Sequence, residues 1–293
     1  MKILVTGGKG AIGKRLISKL SELGHEPVSY DMVDGQDLFD LPALEQAIQG
    51  ADAVYHLAAE ANLNYMRDIE GAHRGTMLNV GGTEHVAYLC AKHAKWMLYV
   101  STLCVYGDTL EHPEREDTTL PNPSEIYAAS KYAGEWVVVG YGKSLALPYT
   151  ILRIATPYGQ GTRLEMAVHV FFLQALKGEP ITVHGDGTQE RTMTYIDDVI
   201  EGMVAPLMHN EAALGQIFNI STAERTSVRS MAQQILDTTG SKSTITFTPR
   251  RPHDTMREDI DTGKAKRLLG WESKVSFKEG LQKTLPWMKD IVG

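Results

Sequence analysis

The chain has 293 residues, a formal net charge of −7, 43% hydrophobic and 22% charged residues, enough for a sizeable core in a globular protein. It shows no basic stripe for nucleic acid, no apolar run of membrane-spanning length and no secretory leader. Its two cysteines, Cys90 and Cys104, are too few for a disulfide framework or a zinc site. These exclusions leave a protein expected in the reducing cytoplasm, with no metal site and neither nucleic acid nor membrane as partner.

Ile3, Leu4 and Val5 read as a buried parallel strand, Thr6–Gly13 (TGGKGAIG) follows, and Leu16, Ile17 and Leu20 then recur at helix spacing. Gly7 permits a tight turn, Gly10 lets a pyrophosphate approach the backbone, and Gly13 lets the helix pack against the strand. The helix start at Ala11 and Ile12 then turns its free N–H groups toward the phosphates. Pro27–Asp31 reads as the next strand, and Asp31 lies 18 residues after Gly13. A carboxylate there accepts from the adenosine ribose hydroxyls and repels a 2′-phosphate, which selects NAD over NADP.

Gly35 to Leu38 reads as a loop and Pro42 to Gln49 as a short helix. Ala53–Ala59 is the next strand, and its tail, Leu57, Ala58 and Ala59, is small enough for a flat cofactor to lie across it. A helix over Thr83–His93, a strand from Trp96 into Thr102, a helix over Tyr127–Val139 and a strand over Tyr149–Ile154 follow. This alternation predicts a parallel sheet with helices on both faces. Residues 1–160 are read as the dinucleotide-binding domain. From residue 161 to 293 the pattern mixes a helix over Met166–Lys177, a strand over Ile181–Val183 and irregular segments, read as a smaller substrate lobe with some segments returning to the first domain. Pro252–Asp261 is polar and reads as a loop at the cleft.

Tyr127 and Lys131, four apart, share one face of their helix. A neighbouring ammonium lowers a tyrosine's pKa, and such a tyrosine can move a proton on a sugar hydroxyl while hydride passes to nicotinamide. The lysine can also hold the nicotinamide ribose. Thr102, at a strand end, can hydrogen-bond the same substrate oxygen.

With TGGKGAIG, HLAA (His56–Ala59), NVGGT (Asn79–Thr83), STLCVYG (Ser101–Gly107), YAASK (Tyr127–Lys131), LRIATPYGQG (Leu152–Gly161), GDGTQERTMTYIDDV (Gly185–Val199) and DTGKAKRLLGW (Asp261–Trp271), the chain resembles the extended short-chain dehydrogenase/reductase superfamily, in its nucleotide-sugar epimerase/dehydratase branch. The resemblance implies an α/β, Rossmann-type doubly wound parallel sheet with a smaller mixed α/β C-terminal substrate lobe. It implies Tyr127 as acid/base, Lys131 as its partner and Thr102 as the third member. Asp37 and Leu38 would flank the adenine, and Ala58 and Asn79 would line the cofactor. Arg191 and Arg251 would meet the diphosphate of a nucleotide-sugar, a task that suits the guanidinium fork. Thr156 would stand in a substrate-contacting turn where the family often has asparagine. Thr192 replaces the aspartate usual after the arginine, and His253 replaces a common glycine.

Related 4,6-dehydratases carry an Asp-Glu pair, and glucuronate decarboxylases the same Glu, where Leu103 and Cys104 stand here. The implied activity is therefore an NAD-dependent 4-epimerisation through a transient 4-ketosugar. Cys104 matches the cysteine of 3,5-type epimerases but lacks their partnering lysine, so it reads as packing unless a cation activates it. A net sugar or sugar-acid dehydrogenase stays open as well. A non-enzymatic NAD-binding regulator is disfavoured by the intact Tyr127, Lys131 and Thr102. The resemblance also implies a homodimer through the helices near Thr83–Lys95 and Ala129–Val139, where Trp136 with Val137–Val139 looks apolar for a solvated face.

Overall fold

The first strand, β1 (Lys2–Thr6), sends alternate side chains to opposite sides: Ile3 and Val5 to one core, Leu4 to another. A computed structural model describes residues 1–62, 64–107, 109, 111–118, 123, 125–251 and 255–293. After β1 come α1 (Ala11–Glu22), β2 (Glu26–Tyr30), α2 (Leu41–Gln49), β3 (Ala53–His56), α3 (Ile69–Thr76), α4 (Thr83–Lys92), β4 (Trp96–Thr102), α5 (Ile126–Leu145) and β5 (Tyr149–Ile154). The second half holds β6 (Pro157–Tyr158), α6 (Ala167–Leu176), β7 (Ile181–His184), β8 (Glu190–Arg191), β9 (Thr194–Tyr195), α7 (Ile196–Met208), α8 (Asn210–Ala213), β10 (Gln216–Ile220), β11 (Thr226–Ser227), α9 (Val228–Thr239), β12 (Ile245–Thr248), α10 (Gly263–Leu269) and α11 (Phe277–Val292).

Six parallel strands form the central sheet in the order β10-β5-β4-β3-β1-β2, the Rossmann-type α/β arrangement. β3, β4 and β5 are buried along their whole length because helices cover both faces. On one face α2, α4 and α5 close over Leu4, Val54, Met97, Tyr99 and Ile151; on the other, α1, α6, α7, α9 and α11 close over Val5, Tyr55, Leu98, Val100 and Leu152. The edge strand β10 comes from residue 216 onward, so the second half completes the first half's sheet. Its other strands make three small pairs: β7 with β12, β8 with β11 and β6 with β9.

Several expected bounds shift. The third strand ends at His56, and Leu57–Ala59 leave the sheet as a loop. α5 runs on past Val139 to Leu145, where Ala146 turns at φ 55°. Ahead of α4, α3 and a π-helical turn at Met77–Gly82 form a segment that the sequence reading passed over. Val138 and Val139 face the core and only Trp136, 56% exposed, stands fully outward, so the expected apolar outer face is narrower than the sequence suggested. Pro252–Asp254, including the His253 substitution, lie outside the described residues. Residues 255–261 form no helix or named strand, and Ile260 makes an isolated bridge with Glu114. No helix among the described residues is long and apolar enough to cross a membrane.

Candidate active site

The C-terminal ends of β1, β3, β4 and β5 open on one side of the sheet, where doubly wound folds bind ligands. At β1 the glycine loop is drawn tight. A Cβ on Gly7, which sits at φ +72°, would meet the Ala58 nitrogen at 2.8 Å, and one on Gly13 would meet the Gly7 oxygen at 2.3 Å. Gly10 is exposed and starts α1, with no side-chain cap and no acid in the first turn. The first N–H groups of a 12-residue helix are thus left to an anion, which fits the pyrophosphate of a dinucleotide. Ala11 and Ile12, half-buried, form that first turn.

Asp31 follows β2 directly and ties the glycine loop to the strand's end. Its carboxylate accepts from the Lys9 N–H at 2.9 Å and the Val33 N–H at 3.0 Å, with acceptor capacity remaining for ribose hydroxyls. Asp37 is half-buried beside it and accepts from the Phe39 N–H. Leu57, Ala58 and Ala59 are half-buried along the loop after β3.

Two expected cofactor contacts point elsewhere. The Leu38 side chain is buried in the core, packed against Gly82. Asn79 has no exposed surface. It accepts from the Glu60 N–H at 2.7 Å and donates to the Glu60 carbonyl and the Ser130 hydroxyl, so it braces the cofactor loop against α5 from behind rather than lining the cleft.

Tyr127 sits in the first turn of α5, half-buried, and Thr102 closes β4, its hydroxyl accepting from the Cys104 N–H at 3.2 Å. Burial, then the neighbouring Cys104 thiol, push the Tyr127 phenol above its ordinary pKa; the Arg163 guanidinium and the Thr102 hydroxyl oppose them. This corrects the expectation that Lys131 lowers it. The Lys131 ammonium is buried and rests 4.2 Å from the centre of the Tyr99 ring, pulled down to about 7 by burial, with the Glu135 carboxylate opposing.

Cys104 also departs from expectation: it is exposed, on the short turn Leu103–Tyr106 after β4, and not packed. Its surroundings raise its pKa; crowding by the cleft wall leads, Glu258 and Glu125 add to it, and Thr102 and Arg191 work against it. Arg191 is therefore the cation near the thiol that spacing in the sequence could not reveal. It donates to the Thr255 carbonyl at 2.7 Å and lies 3.5 Å from Glu258, which also accepts from the Thr192 N–H at 3.0 Å and hydroxyl at 3.2 Å. Thr156 is half-buried, and its carbonyl accepts from the Thr194 N–H. Arg251 is exposed, next to the undescribed Pro252.

Four residues not foreseen join the site. Arg163 bears on Tyr127 and Glu258 on Cys104. Glu135 and Arg153 form a buried ion pair at 2.7 Å beneath them. The signal for this pair was available: an arginine in the apolar strand TILRI, and a glutamate one turn after Lys131.

The family model for the NAD dependent epimerase/dehydratase family matches residues 3–221, well over half of the chain. An uncharacterized UDP-glucose epimerase of Bacillus subtilis (strain 168), YtcB, is 30% identical over 99% of both chains. UDP-glucuronic acid decarboxylase 1 of Danio rerio is 32% identical over 98% of this chain and 72% of its own length. Among solved structures, the UDP-glucose 4-epimerase of Thermotoga maritima with UDP-glucose superposes with a TM-score of 0.91 at 27% identity, covering 100% of both chains. The UDP-glucuronic acid 4-epimerase of Bacillus cereus, with UDP-glucuronic acid and NAD, gives 0.90 at 30% identity over 99% of this chain and 100% of that one. The glycine loop, Asp31, the α5 tyrosine and these relationships over the full length agree: this chain belongs to the NAD-dependent epimerase/dehydratase family of extended short-chain dehydrogenases/reductases, with NAD as its cofactor.

Proposed function

We propose that the protein is a 4-epimerase of a nucleotide-sugar, with a uridine diphosphate sugar as first choice because relatives of similar length carry that group. The observation that carries the reading is the turn Leu103–Tyr106. It holds a leucine and an exposed thiol where dehydration or decarboxylation would call for acids, while Thr102 and Tyr127 stand beside it ready for proton transfer at an alcohol. The nearby carboxylates, Glu125 and Glu258, belong to other segments, and Glu258 is occupied by Thr192 and Arg191.

In this reading Tyr127 removes the proton of the sugar C4 hydroxyl and later returns it, and Thr102 orients that oxygen. NAD, when held by the glycine loop and Asp31, would supply the acceptor and later the donor of the C4 hydride. Arg163 and Thr102 are the groups that favour the phenolate form Tyr127 needs in the first step. The glycine loop and Asp31 hold the pyrophosphate and the ribose. Arg191, pre-set by Glu258 and the Thr255 carbonyl, binds the sugar diphosphate, and Arg251 flanks it. Two copies pairing through α4 and α5, with Trp136 at the contact, complete the reading.

A second reading rests on the exposure of Cys104. The thiol exchanges protons at C3 or C5 beside the C4 ketone, with Arg191 as the assisting cation. The raised pKa of the thiol places this reading second.

The test is to incubate the purified protein with UDP-, GDP- and dTDP-linked sugars and follow products and NADH. One C4 epimer formed without net NADH supports the proposal. Stoichiometric NADH makes the protein a dehydrogenase and removes it.

A further inference from the structure

Glu114, between β4 and α5, is an acid with only 2% of its surface exposed. It lies against the segment Thr255–Asp261 and grips it three times. Its N–H donates to the Asp259 carbonyl at 2.7 Å, and its carbonyl accepts from the Asp261 N–H at 2.9 Å. Its carboxylate accepts from the Asp259 N–H at 2.9 Å, and His112 Nδ1 lies 3.2 Å from the other carboxylate oxygen. This seat is fastened to the central sheet. Asn219, on β10 and with no exposed surface, donates to the carbonyls of Glu114 at 3.2 Å and Asp261 at 3.1 Å. The same side chain accepts from the Tyr106 hydroxyl at 2.7 Å, and Tyr106 ends the turn that carries Cys104. One buried amide therefore sets the segment against that turn.

The segment in turn holds the Arg191 side chain. The Thr255 carbonyl accepts from a terminal guanidinium nitrogen at 2.7 Å, and a Glu258 carboxylate oxygen lies 3.5 Å from Nε. We propose that Glu114 is a positioning residue for the nucleotide-sugar: by fixing Asp259 and Asp261 it sets Thr255 and Glu258, and through them the guanidinium that meets the diphosphate. The inference rests on the role given above to Arg191.

The segment's other ties do not replace this one. Asp259 pairs with Arg225 at 3.3 Å and Arg257 at 2.5 Å, both partly exposed, and such pairs contribute little in water. The Met256 carbonyl accepts from the Glu190 N–H at 3.0 Å, which holds the backbone of β8 and not the arginine's side chain. β8 also pairs with β11, so the Arg191 backbone keeps its place when the segment shifts and only the guanidinium loses its setting. Without the Glu114 carboxylate the Asp259 N–H is left lacking its acceptor beside a buried side chain, a cost that displacement of the segment relieves.

The test measures nucleotide binding and needs no turnover. The NAD-loaded parent, Glu114→Leu, Arg191→Ala and the double variant are titrated with UDP, GDP and dTDP by calorimetry. Arg191→Ala weakens the tightest of these by about 10–100-fold, the worth of a charged hydrogen bond. Glu114→Leu weakens it by about tenfold, and adds little in the Arg191→Ala background because both act through one guanidinium. Glu114→Gln keeps an oxygen for the Asp259 N–H and stays near the parent. In turnover with whichever sugar the panel identifies, Glu114→Leu raises KM and leaves kcat little changed, since Tyr127 and Thr102 lie outside the segment. A folded Glu114→Leu that binds as the parent does, or whose loss simply adds to that of Arg191→Ala, overturns the proposal. Glu114→Ala leaves room for a water at the Asp259 N–H and takes the place of Glu114→Leu if the latter does not fold. Loss of the fold in both makes the acid structural only and overturns the proposal as well. Undiminished binding in Arg191→Ala would instead remove the diphosphate assignment, and the proposal with it.

Discussion

Gly134 lies against the ring that supports Lys131, and replacing it with alanine separates stability from catalysis. A Cβ there would stand 2.3 Å from the Tyr99 hydroxyl oxygen and 3.0 Å from the ring carbon that bears it. Tyr99 has no exposed surface and its hydroxyl is held by the Lys131 carbonyl, so the ring has nowhere to go. Restoring ordinary contact pushes α5 outward by about 1 Å. Overpacking of this kind costs ~1–3 kcal/mol, and removing a helix-interior glycine returns about 1 kcal/mol, so the net loss of stability is about 0–2 kcal/mol. The same displacement moves Tyr127 and Lys131 relative to Thr102 on β4, and an error of about 1 Å in a reacting group lowers kcat on the order of 100-fold. Thermal unfolding and steady-state epimerisation, measured on the same NAD-loaded preparation, report both quantities. Turnover equal to the parent in Gly134→Ala would show that the placement of α5 by Tyr99 does not matter to the chemistry.

Tyr127→Phe should leave NAD bound and the fold intact while turnover drops by about 10²–10⁴-fold, read in a single-turnover assay, because only a proton-moving hydroxyl is lost. Arg191→Ala should raise KM for a nucleotide-sugar far more than for a free sugar, and equal effects would remove the diphosphate assignment. His56 is wholly buried and bonded through both ring nitrogens to Thr6 and Thr83, and burial lowers its pKa from 6.5 to about 3. Below 6.5 the unfolded chain takes up a proton that the folded protein refuses until about 3, so stability falls with pH across that window, by at most about 4–5 kcal/mol. Denaturant midpoints across that range should show the slope, and His56→Gln should flatten it.

The parts of the fold legible in the sequence are those set by local pattern. TGGKGAIG between an apolar strand and a helix can do little else, and β5 falls where its apolar run starts and stops. What escaped depends on long-range packing. Nothing local tells that β10 returns to the sheet edge beside β5, or that Glu258 reaches back to Thr192. Leu38 and Asn79 were assigned to the cofactor because their positions in the motifs are right, yet one side chain turns into the core and the other braces a loop. Lys131 and Tyr127 share a helix face as their spacing requires, but spacing is silent on Tyr99, whose ring centre lies 4.2 Å from the Lys131 ammonium. Arg153 in an apolar strand was the one visible anomaly, and it leads to the buried pair with Glu135.

Hydride return at C4 alone is the central claim, and running the reaction in heavy water tests it most directly. Mass spectrometry and proton NMR of recovered substrate and product should show the C4 epimer with no solvent deuterium on any carbon, and Cys104→Ala should behave the same. Deuterium at C3 or C5 that disappears in Cys104→Ala would contradict the claim and make the exposed thiol the proton-exchanging group.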